Sequence, residues 1–279
     1  MRKVASGVFV EDMYLAVHVG AVVTQDGLML IDSPLKVEDA RAWVTSLGEF
    51  GKPRYMALLD SHPDRVLGAR GVSLRLIGHD WTRGLLSSWS DSYKGSANPI
   101  GAEADGLKRI TGVRRAVPEL SFSDEMRIHL GEREIHFFHR PGPTPGSIWV
   151  VVPGAKVAFI GDAVTVAEPP FLGNAVIEAW LQTLDDLRST RFRSYKLVSA
   201  RDGLIKRNDI NTMARFLRKV PRRIQRMGER GEPSKTAAKL ASQLVKSFGK
   251  IPPPRRERVM LRLQAGLTRL HSRLYPSDS

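Results

Sequence analysis

The chain has 279 residues, is 42% hydrophobic and 26% charged, and carries a formal net charge of +14. That length supports one large domain with an appendage, or two domains, with ample core. It holds no cysteine, which excludes disulfides, thiolate-held zinc and a cysteine nucleophile; any metal has to be held by histidines and carboxylates. No apolar run is long enough for a membrane span, and the N-terminal MRKVASGVFVEDM lacks a continuous apolar stretch of signal-peptide type, so a cytoplasmic protein without an integral membrane segment is expected.

In chain order, Tyr14 to Val23 and Gly27 to Asp32 are β-rich runs punctuated by Asp26-Gly27 and Ser33-Pro34. Lys36 to Leu47 has helical spacing, with Ala40, Trp43, Val44 and Leu47 on one side. Tyr55 to Leu59 and Leu74 to Gly78 predict buried strands, and Trp81 to Trp89 a short helix. Ser90 to Pro118, rich in Gly, Ser and Lys, predicts an irregular insertion. Then Glu125 to Leu130, Glu134 to His139, Ile148 to Val152 and Lys156 to Ile160 predict a mostly antiparallel meander. Ala175 to Thr190 is amphipathic, and Tyr195 to Ser199 is a last short strand. Strand runs followed by helices thus occur twice, a pattern that two packed sheets with helices outside would bury.

The remaining segment, Lys206 to Ser279, has 19 Lys/Arg against 5 Asp/Glu and so carries the whole charge excess; the first 205 residues are balanced. Helices are predicted from Asn208 to Gly228, broken or kinked at Pro221, from Ser234 to Phe248, and from Arg255 to Leu274 after an IPPP linker. Three readings of this tail stay open. It is a nucleic-acid or other polyanion-binding module, a surface for anionic membrane, or a helical cap or homodimer element whose charged face is merely solvated. Its few aromatics, Phe216, Phe248 and Tyr275, provide poorly for base stacking.

Five short stretches stand out: GLMLIDSP at 27–34; Asp60-Ser61-His62-Pro63-Asp64-Arg65, with Gly68 three residues on; Pro141-Gly142-Pro143-Thr144-Pro145-Gly146-Ser147; Phe159-Ile160-Gly161-Asp162; and Arg201-Asp202-Gly203. In this order and spacing they resemble the landmarks of the metallo-β-lactamase fold, whose corresponding motifs read HxHxDH, PGHTPGS, a strand ending in Asp, and GHG. The resemblance spans roughly residues 5 to 205. It implies a four-layer αββα sandwich over residues 1–205, with residues 206–279 as a basic helical extension. It also implies a relationship to metal-dependent hydrolases of esters, lactones or phosphoesters.

By the same correspondence His62, Asp64 and Asp162 match metal-ligand positions. Asp60 and Asp202 stand where the family has histidines and retain metal-binding capacity, whereas Arg65 and Pro143 do not. Four carboxylates, Asp60, Asp64, Asp162 and Asp202, are then expected to converge on one cleft, where their repulsion demands a cation. Two remedies stay open. One is a single divalent ion (Mn, Mg, Fe or Zn) activating water, with Asp64 as base. The other is Arg65 itself, a permanent guanidinium bridging carboxylates with no metal, which would leave a non-catalytic protein whose cleft is a binding pocket or a purely structural remnant. His139, just before the PGPTPGS loop, is expected to support the cleft from behind.

Overall fold

The computed structural model describes residues 1–97, 99–108, 115–228 and 233–276; part of the expected insertion Ser90 to Pro118 therefore lies outside the described residues. Among them, seven strands form one sheet in sequence order: β1 (Arg2–Ala5), β2 (Val8–Glu11), β3 (Val19–Thr24), β4 (Gly27–Ile31), β5 (Pro53–Ala57), β6 (Arg75–His79) and β7 (Leu120–Phe122). The first four run antiparallel and the last four parallel. A second sheet of six holds β8 (Glu125–Leu130), β9 (Arg133–His139), β10 (Ile148–Val152), β11 (Val157–Phe159), β12 (Lys196–Ser199) and β13 (Gly203–Ile205). It is antiparallel except for the β11–β12 pair.

The alternation of side chains along each strand explains the layers. In β4, Met29 and Ile31 enter the core between the sheets, while Leu28 and Leu30 face helix α1 (Val37–Ser46), meeting Ala40 and Trp43. In β10, Ile148, Val150 and Val152 enter the inter-sheet core, and Trp149 and Val151 face the other way. Strands buried on both faces have no polar side to show, which is why GLMLI and IWVVV read as unbroken apolar runs. The result is helix, sheet, sheet, helix, in two similar halves.

The outer face of the second sheet is covered by α4 (Ile177–Arg188) and by the C-terminal helices α5 (Arg207–Leu217), α6 (Val220–Gly228), α7 (Pro233–Leu244) and α8 (Pro253–Leu274). Phe138, Trp149, Trp180 and Leu187 share one core with Phe216, Ile224, Leu244, Leu263 and Leu267. The basic segment is thus packed through its apolar stripes, with its charge on the remaining faces. Pro221 sits at the second residue of α6, where a missing amide hydrogen is harmless, and the break falls before it. α5 opens at Arg207, one residue before the expected start, and Asp209 in its first turn accepts from the Lys206 amide (2.7 Å).

Four strands escaped the sequence reading. β1, β2, β7 and β13 are three or four residues long, too short for a clear alternation; β1, β7 and β13 are sheet edges, and β2 lies beside one, so Tyr195 to Ser199 does not end the strand order as expected. The run from Tyr14 yields a strand only from Val19. Around the cleft, α3 (Asp80–Ser88) follows β6, and a short turn at Glu103–Gly106, backed by another at Gly95–Ala97, covers α2 (Pro63–Val66).

Leu267 on α8 is fully buried in the core shared with α4. Leu267→Ala is expected to lower unfolding free energy by about 2–5 kcal/mol within a single transition. Urea denaturation followed by near- and far-ultraviolet circular dichroism checks this; a separate early transition confined to helix would mean that the tail folds apart from the sandwich.

Candidate functional site

The site lies at the ends of β4, β5 and β11, where the motif loops meet. β5 runs into Leu58-Leu59-Asp60, and Pro63 opens the single turn of α2, which places His62, Asp64 and Arg65 on three sides of one small knot. Gly68 follows because nothing larger fits: a Cβ there would stand 1.9 Å from the Pro34 carbonyl oxygen. Asp32, at the end of β4, has φ 58°, an unusual backbone for a residue with a side chain, and accepts from the Leu59 amide through Oδ1 (2.9 Å).

Arg65 is the hub. It is 0% exposed and donates from Nη2 to Asp60 Oδ2 (2.5 Å) and from Nη1 to Asp162 Oδ1 (2.9 Å). Its Nε lies 3.7 Å from Asp32 Oδ2. Burial disfavours the charge, but Asp162 and Asp60 outweigh it and hold the guanidinium firmly protonated. A second arginine, Arg201, enters from the turn after β12. It donates from Nε to Asp162 Oδ2 (3.0 Å), and its Nη2 stands 3.0 Å from His62 Nε2. Burial pushes the Asp162 carboxyl up, yet Arg201 and Arg65 prevail and hold it well below the usual carboxylate range.

The proton balance of the knot follows from these neighbours. Burial pushes Asp32 up to about 8; Arg65 opposes this, while Asp60 and Asp162 add to it. Asp32 is therefore largely protonated at neutral pH, leaving two guanidiniums against Asp60 and Asp162. Burial lowers His62 to about 4, with Arg201 and Arg65 adding and Asp64 opposing. His62 Nδ1 accepts from the Asp64 amide (3.2 Å), while its Nε2 faces an arginine that can only donate. A neutral imidazole accepts at one nitrogen alone, so these two donors compete for it.

The four expected aspartates do not converge. Asp60 and Asp162 do, and both line the cleft with His62 and Pro143. Asp64 is fully buried and turned the other way, accepting from the Glu103 and Ala104 amides (3.2 and 2.8 Å). Asp202 accepts from the Val166 and Ala167 amides (2.8 and 2.9 Å); burial raises its pKa against those bonds. Each has exchanged repulsion in a crowded centre for a pair of backbone donors. His139 also stays out of the cleft: its Nε2 donates to the Pro145 carbonyl (2.7 Å), and its ring stacks on His79 at 3.8 Å between centroids. It thereby fixes the PGPTPGS loop from behind. Arg201 had no role in the sequence reading, although it adjoins Asp202 in the last motif.

The donor set does not fit a divalent ion in this arrangement. Asp60 uses Oδ1 for the His62 amide and Oδ2 for Arg65; both Asp162 oxygens face guanidiniums, His62 Nε2 faces Arg201, and Pro143 offers no side-chain donor. Among the described residues, no group of three His, Asp or Glu side chains is arranged to hold a metal.

The walls of the cleft are tied by α8. Arg255 bridges Glu168 (2.6 and 3.0 Å) and Glu103 (2.6 Å), Arg258 also pairs with Glu103, and Arg262 joins Glu168 (2.9 Å) to the Gly101 carbonyl. Glu103 is the residue whose amide holds Asp64, so the C-terminal helix reaches the knot through one intermediate.

Removing the hub should expose its role. Arg65→Met leaves Asp60 and Asp162 facing each other without their shared guanidinium, and is expected to lose about 3–5 kcal/mol in denaturant titration. The raised Asp32 predicts a pH signature. Between its unfolded value near 4 and its folded value near 8, the folded state binds more proton than the unfolded, so stability falls as pH rises. Lowered His62 opposes this up to about 6.5, above which only the Asp32 effect remains. Stability is therefore expected to decline from pH 6.5 to 8, and Asp32→Asn to flatten that decline; a flat wild-type profile would refute a neutral Asp32.

A sequence profile described as the metallo-beta-lactamase superfamily matches residues 15–196. Among curated proteins no sequence matches the chain. Among solved structures it is similar to a metallo-β-lactamase from Pontibacter korlensis, at 18% identity and TM-score 0.61, covering 78% of this chain and 97% of that one. It is likewise similar to the DIM-1 metallo-β-lactamase, at 17% identity and TM-score 0.60, covering 78% and 95%. The inverting sec-alkylsulfatase Pisa1 from Pseudomonas sp. aligns at 17% identity and TM-score 0.69 over 99% of this chain, which spans half the length of that enzyme. At such identities the structures speak for the fold alone, while the profile covers well over half of the sequence: the chain belongs to the metallo-β-lactamase superfamily.

Proposed function

We propose that the chain is a binding member of its hydrolase superfamily, in which fixed guanidiniums stand where metal ions would, and that its cleft captures a ligand without metal-activated hydrolysis. The observation that carries this reading is Arg65, fully buried and bridging Asp60 to Asp162. A lysine could swing away or lose its proton; a buried guanidinium paired on both sides does neither readily. Arg201 supports the same reading from the opposite side of Asp162.

The alternative is a mononuclear hydrolase with one Mn, Mg, Fe or Zn ion on Asp60, His62 and Asp162. It requires both arginines to leave their partners, and it would need a base other than Asp64, which is committed to the Glu103 and Ala104 amides. Metal analysis of protein purified without chelators tests the choice. Far less than one ion per chain is expected, together with no turnover of ester, lactone or phosphoester panels. Stoichiometric metal that disappears in Asp162→Ala and His62→Ala variants, along with such turnover, would establish the hydrolase instead.

Polyanion binding through residues 206–279 rests on the outward basic residues of α5, α6 and the turn between them, such as Arg218, Arg222 and Arg226, which are exposed. It draws less support from α8, whose Arg255, Arg258 and Arg262 are engaged with Glu103 and Glu168. The double variant Arg222→Glu, Arg226→Glu is expected to leave retention on polynucleotide unchanged; weaker retention with a shallower salt dependence would favour the nucleic-acid reading.

A further inference from the structure

Beside the cleft lies a larger cavity of about 640 Å³, within the range of small-molecule sites. Its two walls differ in chemistry. One is α3 and the PGPTPGS loop. Thr82 and Leu86 anchor α3 to the protein, so Trp81, Gly84 and Leu85, three and four residues apart, turn together into the cavity. Trp81 is 64% exposed and Leu85 40%, large apolar surfaces left to water at the edge of an otherwise well-packed fold. Pro145 continues this wall. The other wall is the end of α8, which contributes Arg269 and Arg273.

These two arginines differ from the three that tie α8 down. Arg273 donates only to main-chain carbonyls, of Gly173 (2.8 Å) and Ala175 (3.4 Å). Arg269 has no hydrogen-bond or ion-pair partner among the described residues, and neither arginine forms a salt bridge with an acid there. The one carboxylate at the cavity, Asp80, lies on the α3 wall in the first turn of that helix. Two neighbouring cations without a counter-charge, facing exposed tryptophan and leucine across a cavity, define a ligand with an anionic head and an apolar body. Asn174 and Arg269 line both this cavity and the cleft, and Asn174 adds an amide for a polar head.

We propose that the cavity between α3 and the end of α8 binds a small amphiphilic anion, its acid head on Arg269 and Arg273 and its apolar body against Trp81, Leu85 and Pro145. A guanidinium fork suits a carboxylate, sulfonate or phosphate head, and the apolar wall supplies affinity that grows with chain length. The site goes beyond the metal-free reading of the knot and does not depend on it, since none of Arg65, Asp162 or Arg201 lines the cavity.

The test is isothermal titration calorimetry of the full-length protein with decanoate as probe. Saturable binding of one decanoate per chain is expected, with decanol and acetate each at least tenfold weaker because each lacks one half of the chemistry. Arg269→Gln, an exposed change that leaves the core intact, is expected to weaken decanoate about tenfold or more, and Trp81→Ala to weaken it while steepening no salt dependence. Thermal melts confirm that both variants are folded. Equal affinities for decanoate and decanol, unchanged binding in folded Arg269→Gln, or no saturable binding would overturn the proposal. So would retention on phosphatidylglycerol vesicles without binding of free decanoate, which would make the arginines a membrane contact. Metal content is measured on the same samples, so the knot and the cavity can fail separately.

Discussion

A buried guanidinium held between two carboxylates is the constraint around which the centre of this protein is arranged. Taking such charges out of water is expensive, and the arrangement survives only when each charge meets its partner in good geometry. Arg65 meets that condition on two sides and leaves Asp32 protonated on the third. From it follow the placement of Asp60 and Asp162 on the cleft floor and the recruitment of Arg201 to the free side of Asp162. The outward turn of Asp64 and Asp202 toward backbone amides follows as well. With two cations already present, two carboxylates suffice; two further aspartates would restore the repulsion that the arginines relieve.

Much of the fold was open to reading because its strands are buried on both faces. GLMLI and IWVVV are apolar at almost every position, as strands covered on both sides must be, and the loops between them carry motifs in a fixed order. Short edge strands such as β1 and β7 have too few residues to carry a period, so they stayed invisible. The centre was legible in its composition and illegible in its directions. Asp64 and Asp202 could be named from their places in motifs. The amides that claim them come from residues 35 to 40 positions away, in loops whose path no local pattern encodes. Arg201 was hidden for a different reason: the motif it belongs to directed notice to the neighbouring Asp202. Charge balance was the available signal, since several buried acids around one arginine call for another cation.

The C-terminal segment shows how a net charge can mislead about where charges act. Its excess of basic residues suggested an outward-looking surface, and α5 and α6 do present one. On α8 the same residue type does the opposite. Arg255, Arg258 and Arg262 reach back to Glu103 and Glu168, and the helix becomes a brace across two loops that border the cleft. At its far end, Arg269 and Arg273 have no carboxylate partner among the described residues and stand beside a cavity. Position along one helix thus separates structural arginines from available ones.

A metal ion must be captured from the surroundings after the chain is made, in competition with other ions and other proteins. A guanidinium arrives with the polypeptide. The pairs that Arg65 makes with Asp60 and Asp162 need only β5, α2 and the end of β11 to come together. On the metal-free reading proposed above, their formation belongs to folding alone and is indifferent to metal supply, to chelating agents and to the identity of the ions at hand.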